Sequence, residues 1–237
     1  QRITNTIRMY AKQRRLSAMV ADQVSQKEKR SQMMIGILSR VVERRNGESR
    51  THVQHISTLT GMLLDHLVQK TETYPLTQEM RRTISMASVL HDIGKMEIGE
   101  QVLNSPEPRT PEDEEIMRQH TLLGARMLEE LDAYRDEDFV RVAYQICRWH
   151  HERYDGSGYP DQLVGEQIPI AAQVVGLADA YETLTTGSGS QPPVPCAAAV
   201  QMLCTGEAGA FNPVLLDCLR EIENEIDDAM RRRPETL

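Results

Sequence analysis

The chain has 237 residues, a formal net charge of −8, and 40% hydrophobic, 26% charged and only 4% aromatic residues. That length supports one sizeable core plus an appendage, and the acidic balance argues against a general binder of nucleic-acid polymer or anionic membrane, though not against a small anion held through metal. A core short of Phe and Trp but rich in Leu, Ile, Val, Met and Ala points to packed helices rather than sheets.

Cys147, Cys196, Cys204 and Cys218 show no CxxC spacing and no compact disulfide framework, so reduced thiols in a cytoplasmic setting are expected. No run approaches the roughly 18 apolar residues that span a membrane, and no signal peptide is visible. The first residue is Gln1 rather than Met, so the chain is expected to be part of a longer one, with a receiver or sensor domain upstream.

Residues 1–46 lack Pro and read as one long helix, with Met9, Leu16, Met19, Met33 and Ile37 near heptad positions and Gln23, Gln26 and Arg30 interrupting the stripe. Two readings stay open: a signalling helix that pairs two copies into a homodimer, or a helix that packs on its own domain. The expected division is 1–46 for this helix, 47–231 for the main domain and 232–237 for a charged tail. Asn46-Gly47 breaks the first helix, and periodicity resumes from Glu48 to about Lys70 through Val53, Ile56, Leu59, Leu63, Leu64 and Leu67.

Tyr74-Pro75 ends that run, and Thr77 precedes a helix whose apolar residues lead to His91-Asp92-Ile93-Gly94-Lys95, with Gly94 as the expected stop. From 94 to 108 the Gly and Pro punctuation predicts loop. Thr110-Pro111-Glu112-Asp113 has a side-chain cap, Pro at the first helical position and acid after it, which starts a helix reaching His120 and on to about Leu131. Further helices are expected over 138–150, 170–184, 197–204 and 213–231. A long Gly- and Pro-rich loop covers 152–169, and a second loop covers 186–195.

Metal-ligand side chains recur at helix ends. Glu48 and His52 stand one helical turn apart, His91 and Asp92 end a helix, His120 lies on the next, His150 and His151 end another, and Asp179 sits on a polar side. Helical bundles build metal sites from carboxylates and imidazoles converging this way. Nitrogen and oxygen donors without thiolate suit Fe, Mn, Zn or Ni, and eight such ligands exceed the need of one ion, so two or three divalent ions are expected. Each residue also has an ordinary reading: Glu48 as a helix-start acid, His52 as a surface residue like His55 and His66, Asp179 as a residue bonded within its helix.

The motifs His91-Asp92-Ile93-Gly94-Lys95, His120-Thr-Leu-Leu-Gly, His150-His151-Glu152 with Gly158-Tyr159-Pro160, and Asp179, in this order and spacing, resemble the HD-GYP branch of the HD phosphohydrolase superfamily. The likeness runs from about Arg45 to about Leu219. It implies an all-α helical bundle of the HD phosphohydrolase type, preceded by the long N-terminal helix. It also implies hydrolysis of cyclic di-GMP to the linear dinucleotide, GMP or both, in bacterial second-messenger signalling as the output of a response regulator. Carried over residue by residue, it implies metal ligation by His52, His91, Asp92, His120, His150, His151 and Asp179, with Asp92 bridging two ions and Glu48 serving a third. Asp92 and Lys95 are the expected catalytic residues, and Lys95, Arg153 and Tyr159 the expected substrate contacts.

One departure bears on substrate. Where the family carries Arg-Pro-Tyr-Lys after the Asp179 helix, this chain reads Ser188-Gly189-Ser190-Gln191, and losing two charge-assisted phosphate contacts costs on the order of 3–6 kcal/mol if nothing replaces them. Arg148 and Arg153 are the candidates to compensate. The loop after Lys95, with Gly99-Glu100 and Asn104-Ser105-Pro106, also differs from the family pattern. Three functions follow: a cyclic di-GMP phosphodiesterase, a phosphohydrolase for another nucleotide, or a metal-stabilised regulatory module that binds a partner protein through Gly158-Tyr159-Pro160 without turnover.

Overall fold

Ile56, Leu59, Leu63, Leu64 and Leu67 fall on one helical face and are fully buried on α1 (His52–Lys70). Burying each such side chain is worth roughly 1.5–3 kcal/mol, which is why this face sets the orientation of the helices around it. The computed structural model describes residues 9, 12–20, 22–23, 25–26, 33, 36–37, 51–103, 105, 109–187 and 192–231. Chain contacts define two units, Gln1–Leu38 and Ser39–Leu237. In the first, every described residue is helical. Glu48, the Asn46-Gly47 break, positions 188–191 and the tail from 232 lie outside the described residues.

The second unit continues with α2 (Gln78–Ala87), α3 (Glu100–Leu103), α4 (Pro111–Arg118), α5 (His120–Glu129), α6 (Asp138–Trp149), α7 (Ile170–Thr186), α8 (Cys196–Thr205), α9 (Pro213–Glu221) and α10 (Glu223–Arg231). Among the described residues there is no strand, only an isolated antiparallel bridge between Asp155 and Val164. The all-α expectation therefore holds. No helix of the described residues is long and apolar enough to cross a membrane.

At the centre lies α7, packed on α1, α6 and α8, with Ala171, Val174, Val175, Leu177, Ala178 and Tyr181 all buried. Because almost every side of α7 is covered, Gln173, Asp179 and Glu182 need partners of their own. The cap read from sequence at Thr110 is present, accepting from the Asp113 N–H with Pro111 at the first helical position, and Thr77 likewise accepts from the Met80 N–H.

The helices around the His-Asp pair depart from the sequence expectation. Helix α2 ends at Ala87 and tightens into a 3-10 turn over Ser88–Leu90, so His91 and Asp92 sit in a turn that runs into a second 3-10 segment, Ile93–Glu97. The segment expected as loop thus holds that turn and α3. Gly94 is less a helix stop than a contact point, since a Cβ there would lie 1.9 Å from the carbonyl oxygen of His120 and 2.4 Å from the Gly124 nitrogen.

The helix expected from Thr110 onward breaks at Gln119 into α4 and α5. His120 Nδ1 and Thr121 Oγ1 bond the carbonyls of Met117 and Arg118, at 2.7 and 3.0 Å, so side chains take acceptors that a continuous helix would give to backbone N–H groups. Likewise the expected 213–231 helix turns at Ile222, which lets both Ile222 and Ile226 reach the core.

Candidate metal centre

Four histidines are each held through Nδ1, three of them by a backbone carbonyl. His91 Nδ1 bonds the Ser88 carbonyl at 2.9 Å, His120 Nδ1 that of Met117 at 2.7 Å, and His150 Nδ1 that of Ile146 at 2.9 Å. His52, the first residue of α1, uses a carboxylate instead: its Nδ1 lies 2.5 Å from Glu182 Oε2. With the proton committed to Nδ1, each ring presents the Nε2 lone pair to its surroundings.

Those lone pairs converge in two groups. Ligand atoms of His52, His91 and Asp179 lie within 4.8 Å of one another, and those of Asp92, His120, His150 and His151 do the same. Asp92 stands between them. Its Oδ1 faces His120 Nε2 at 3.2 Å and His150 Nε2 at 3.8 Å, and its Oδ2 faces His91 Nε2 at 3.4 Å and Lys95 Nζ at 2.5 Å. His91 Nε2 is also 3.8 Å from Asp179 Oδ1. Seven of the eight residues expected as ligands are therefore assembled, and the eighth, Glu48, lies outside the described residues.

The donor set fits divalent cations on its own evidence of satisfaction. Among the described residues, His91 Nε2 and Asp92 Oδ1 are buried without a hydrogen-bond partner, an arrangement that costs several kcal/mol unless a cation meets both. Burial pushes His120 down, and pushes His150 and His151 well down, below the usual imidazole range; for the latter two, neighbouring imidazoles add to it. They are neutral at pH 7, as metal ligation requires. Burial pushes Asp92 up, yet neighbouring positive charge, that of Lys95 first, outweighs it and holds the carboxyl well below its ordinary range.

Two backbone contacts set the spacing of these groups. Gly94 brings the His-Asp turn against the start of α5, and Gly176 brings α7 against the end of α6, where a Cβ would lie 2.3 Å from the His150 carbonyl oxygen. Any larger residue would separate the helices that carry the ligands.

The long loop after His151 is fastened at its base. Buried Glu152 accepts from the N–H groups of Asp161, at 2.7 Å, and Leu163, at 3.0 Å. Arg148 makes a two-pronged contact with Asp161, at 2.7 and 2.9 Å, and Trp149 Nε1 adds a third bond at 2.7 Å. Arg148 therefore braces the loop. Arg153 packs its guanidinium 4.8 Å from the Phe211 ring centroid. The Tyr159 ring stacks on His151 with centroids 4.9 Å apart, and the Arg118 guanidinium covers the Tyr159 ring at 5.1 Å.

Sequence reasoning passed over Glu182 and gave no role to His55. Burial pushes Glu182 up, but the imidazoles of His52 and His55 more than offset this and hold it at about 2. The available signal was positional: Glu182 is a charged residue one turn beyond Asp179 in a helix whose first half is largely apolar.

A helical bundle with two adjoining His/Asp groups belongs to the class of helical domains whose facing helices can hold metal between them. The profile of the HD domain family matches residues 14–213, and the chain belongs to that family. It is 33% identical over 192 residues to the "cyclic di-GMP phosphodiesterase response regulator RpfG" of Xanthomonas campestris pv. campestris, covering 81% of this chain and 48% of that protein. To the "cyclic di-GMP phosphodiesterase" of Thermotoga maritima it is 30% identical over 199 residues, covering 84% of this chain and 51% of that one. A "3'3'-cGAMP-specific phosphodiesterase 2" of Vibrio cholerae is 30% identical over 191 residues, covering 81% and 34%. The chain spans about half the length or less of these relatives. Among solved structures, the HDG"Y"P protein Bd1817 of Bdellovibrio bacteriovorus shares the fold with a TM-score of 0.54 at 23% identity, covering 74% of this chain and 54% of that one.

Proposed function

We propose that this domain is a metal-dependent phosphodiesterase that hydrolyses cyclic di-GMP to the linear dinucleotide, GMP or both. The observation that carries the reading is Asp92, a carboxylate only 7% exposed with one oxygen turned toward each of two histidine-rich groups. On this reading His52, His91, Asp92 and Asp179 would hold one ion, and Asp92, His120, His150 and His151 would hold another. Iron or manganese suits these donors best, with zinc or nickel also accommodated, and Glu48 is assigned to a third ion. When bound, such ions would supply activation of water at neutral pH and compensation of phosphate charge.

The chain's own groups would handle the substrate. Lys95 keeps Asp92 ionised and carries a compact positive charge beside it, suited to non-bridging phosphate oxygens. Burial first, and then Asp92, pushes the Tyr159 hydroxyl up, so it stays protonated and acts as a donor. Arg153 adds a cation whose charge Asp179 favours against its burial. With positions 188 and 191 uncharged, Arg118 over the Tyr159 ring is a further cation available to an anionic substrate.

The surrounding expectations belong to the same reading: a cytoplasmic protein with a receiver or sensor domain upstream, homodimer pairing through the N-terminal helix, and a protein partner at Gly158-Tyr159-Pro160. The uncharged loop and the relative specific for 3'3'-cGAMP favour one second reading, in which a different cyclic dinucleotide is preferred. The test is turnover of cyclic di-GMP and of 3'3'-cGAMP, side by side, by protein loaded anaerobically with iron or manganese, beside Asp92→Ala. Cleavage of cyclic di-GMP that disappears in the variant supports the proposal. Preference for 3'3'-cGAMP selects the second reading, and full metal occupancy without cleavage of either refutes both.

A further inference from the structure

Glu182 lies one turn beyond Asp179 on α7 and is 2% exposed. Its Oε2 takes the Nδ1 hydrogen bond of His52 at 2.5 Å and a bond from Thr186 Oγ1 at 3.3 Å. Its Oε1 faces His55 Nδ1 at 3.4 Å. Across the His52 ring from Glu182, Nε2 lies 4.0 Å from Asp179 Oδ1. One carboxylate of α7 thus sits behind the imidazole and another sits in front of it.

We propose that Glu182 is a positioning residue for His52: by accepting the Nδ1 proton it fixes the ring orientation and the tautomer that aim Nε2 at the group formed with His91 and Asp179. The inference rests on the metal-centre reading and extends it to a residue behind the ligands. Its physical basis is the contrast among the histidines. His91, His120 and His150 are oriented by carbonyls three or four residues back in their own segments. His52 draws its acceptor from a different helix, so its aim depends on a side chain. A carboxylate acceptor behind a ligating imidazole also makes the ring a stronger donor to metal, and losing such a partner typically weakens metal affinity 10–100-fold. Because Glu182 and Asp179 share α7, one helix fixes both the ring and the carboxylate it faces.

A purely structural link between α1 and α7 is the competing explanation, and the test separates the two. Mn2+ binding to the full chain is measured by equilibrium dialysis for wild type, Glu182→Ala, Glu182→Gln, His52→Ala and the His52→Ala/Glu182→Ala double variant. Glu182→Ala is expected to weaken one of the bound Mn2+ ions by 10–100-fold and to leave the other unchanged. Glu182→Gln is expected to lose less, because its amide oxygen still accepts from Nδ1. In the His52→Ala background, removing Glu182 is expected to cost nothing further.

Imidazole 15N NMR of the metal-free wild type supplies a readout that needs no variant to fold, and the Nδ1-protonated tautomer of His52 is expected. An Nε2-protonated His52, an unchanged Mn2+ affinity in Glu182→Ala, or an equal loss with and without His52 would overturn the inference alone. Wild-type protein that takes up no Mn2+ would overturn the metal-centre reading, and this inference with it.

Discussion

Gly94→Ala tests whether backbone contact sets the geometry of the centre. The added methyl would sit 1.9 Å from the His120 carbonyl oxygen, where ordinary contact begins at 3.4 Å, so the start of α5 must withdraw by about 1.5 Å. What must yield is backbone on both sides, not the end of a flexible side chain. Overpacking of this kind typically costs 1–3 kcal/mol, and the backbone setting places the expected loss toward the upper end, about 3 kcal/mol. The same displacement acts on Asp92 Oδ1 and His120 Nε2, now 3.2 Å apart, and carries them out of reach of a shared ion. Urea unfolding followed by circular dichroism should show a lower midpoint with unchanged slope, and equilibrium dialysis should show weakened Mn2+ binding. A variant with wild-type midpoint and wild-type Mn2+ affinity would refute the reasoning, because the contact would then be neither tight nor coupled to the ligands.

Asp92→Ala removes the carboxylate that, among the described residues, faces both histidine groups, so metal analysis of the purified variant is expected to show loss at both positions rather than at one. Leu63→Ala, at a fully buried site on α1, is expected to cost roughly 2–5 kcal/mol in chemical denaturation. Arg118→Ala should raise the KM for cyclic di-GMP several-fold with little change in kcat or metal content, and the effect should shrink as salt rises. Alkylation at pH 8 should reach exposed Cys204 first, whereas Cys147 and Cys218 should react only on unfolding. Burial pushes the Cys147 thiol up, and that of Cys218 to about 11.

What could be read from the chain was whatever local pattern determines. The apolar spacing of α1 and the Thr110 cap with Pro111 are consequences of nearby residues, and each is found in the fold. The breaks at Gln119 and Ile222 were hidden because they depend on what the side chains bond or bury, which periodicity does not encode. Glu182 was hidden for a similar reason: its partner His52 lies 130 residues away, and only the packing of α7 on α1 brings them together. Arg148 looked like a candidate for substrate until its partner, Asp161, became visible in the loop it braces.

The fastening of that loop also limits how the domain can be taken apart. Arg148, Trp149 and Glu152 grip Asp161 and Leu163, while His150 and His151, between them, belong to the metal-ligand cluster. Five consecutive residues thus serve two masters, and the smallest transplantable piece is 148–164, not the loop by itself. A chimera that exchanges only 153–164 would arrive without its anchors, whereas one that exchanges the longer cassette would bring two histidines into the recipient along with it.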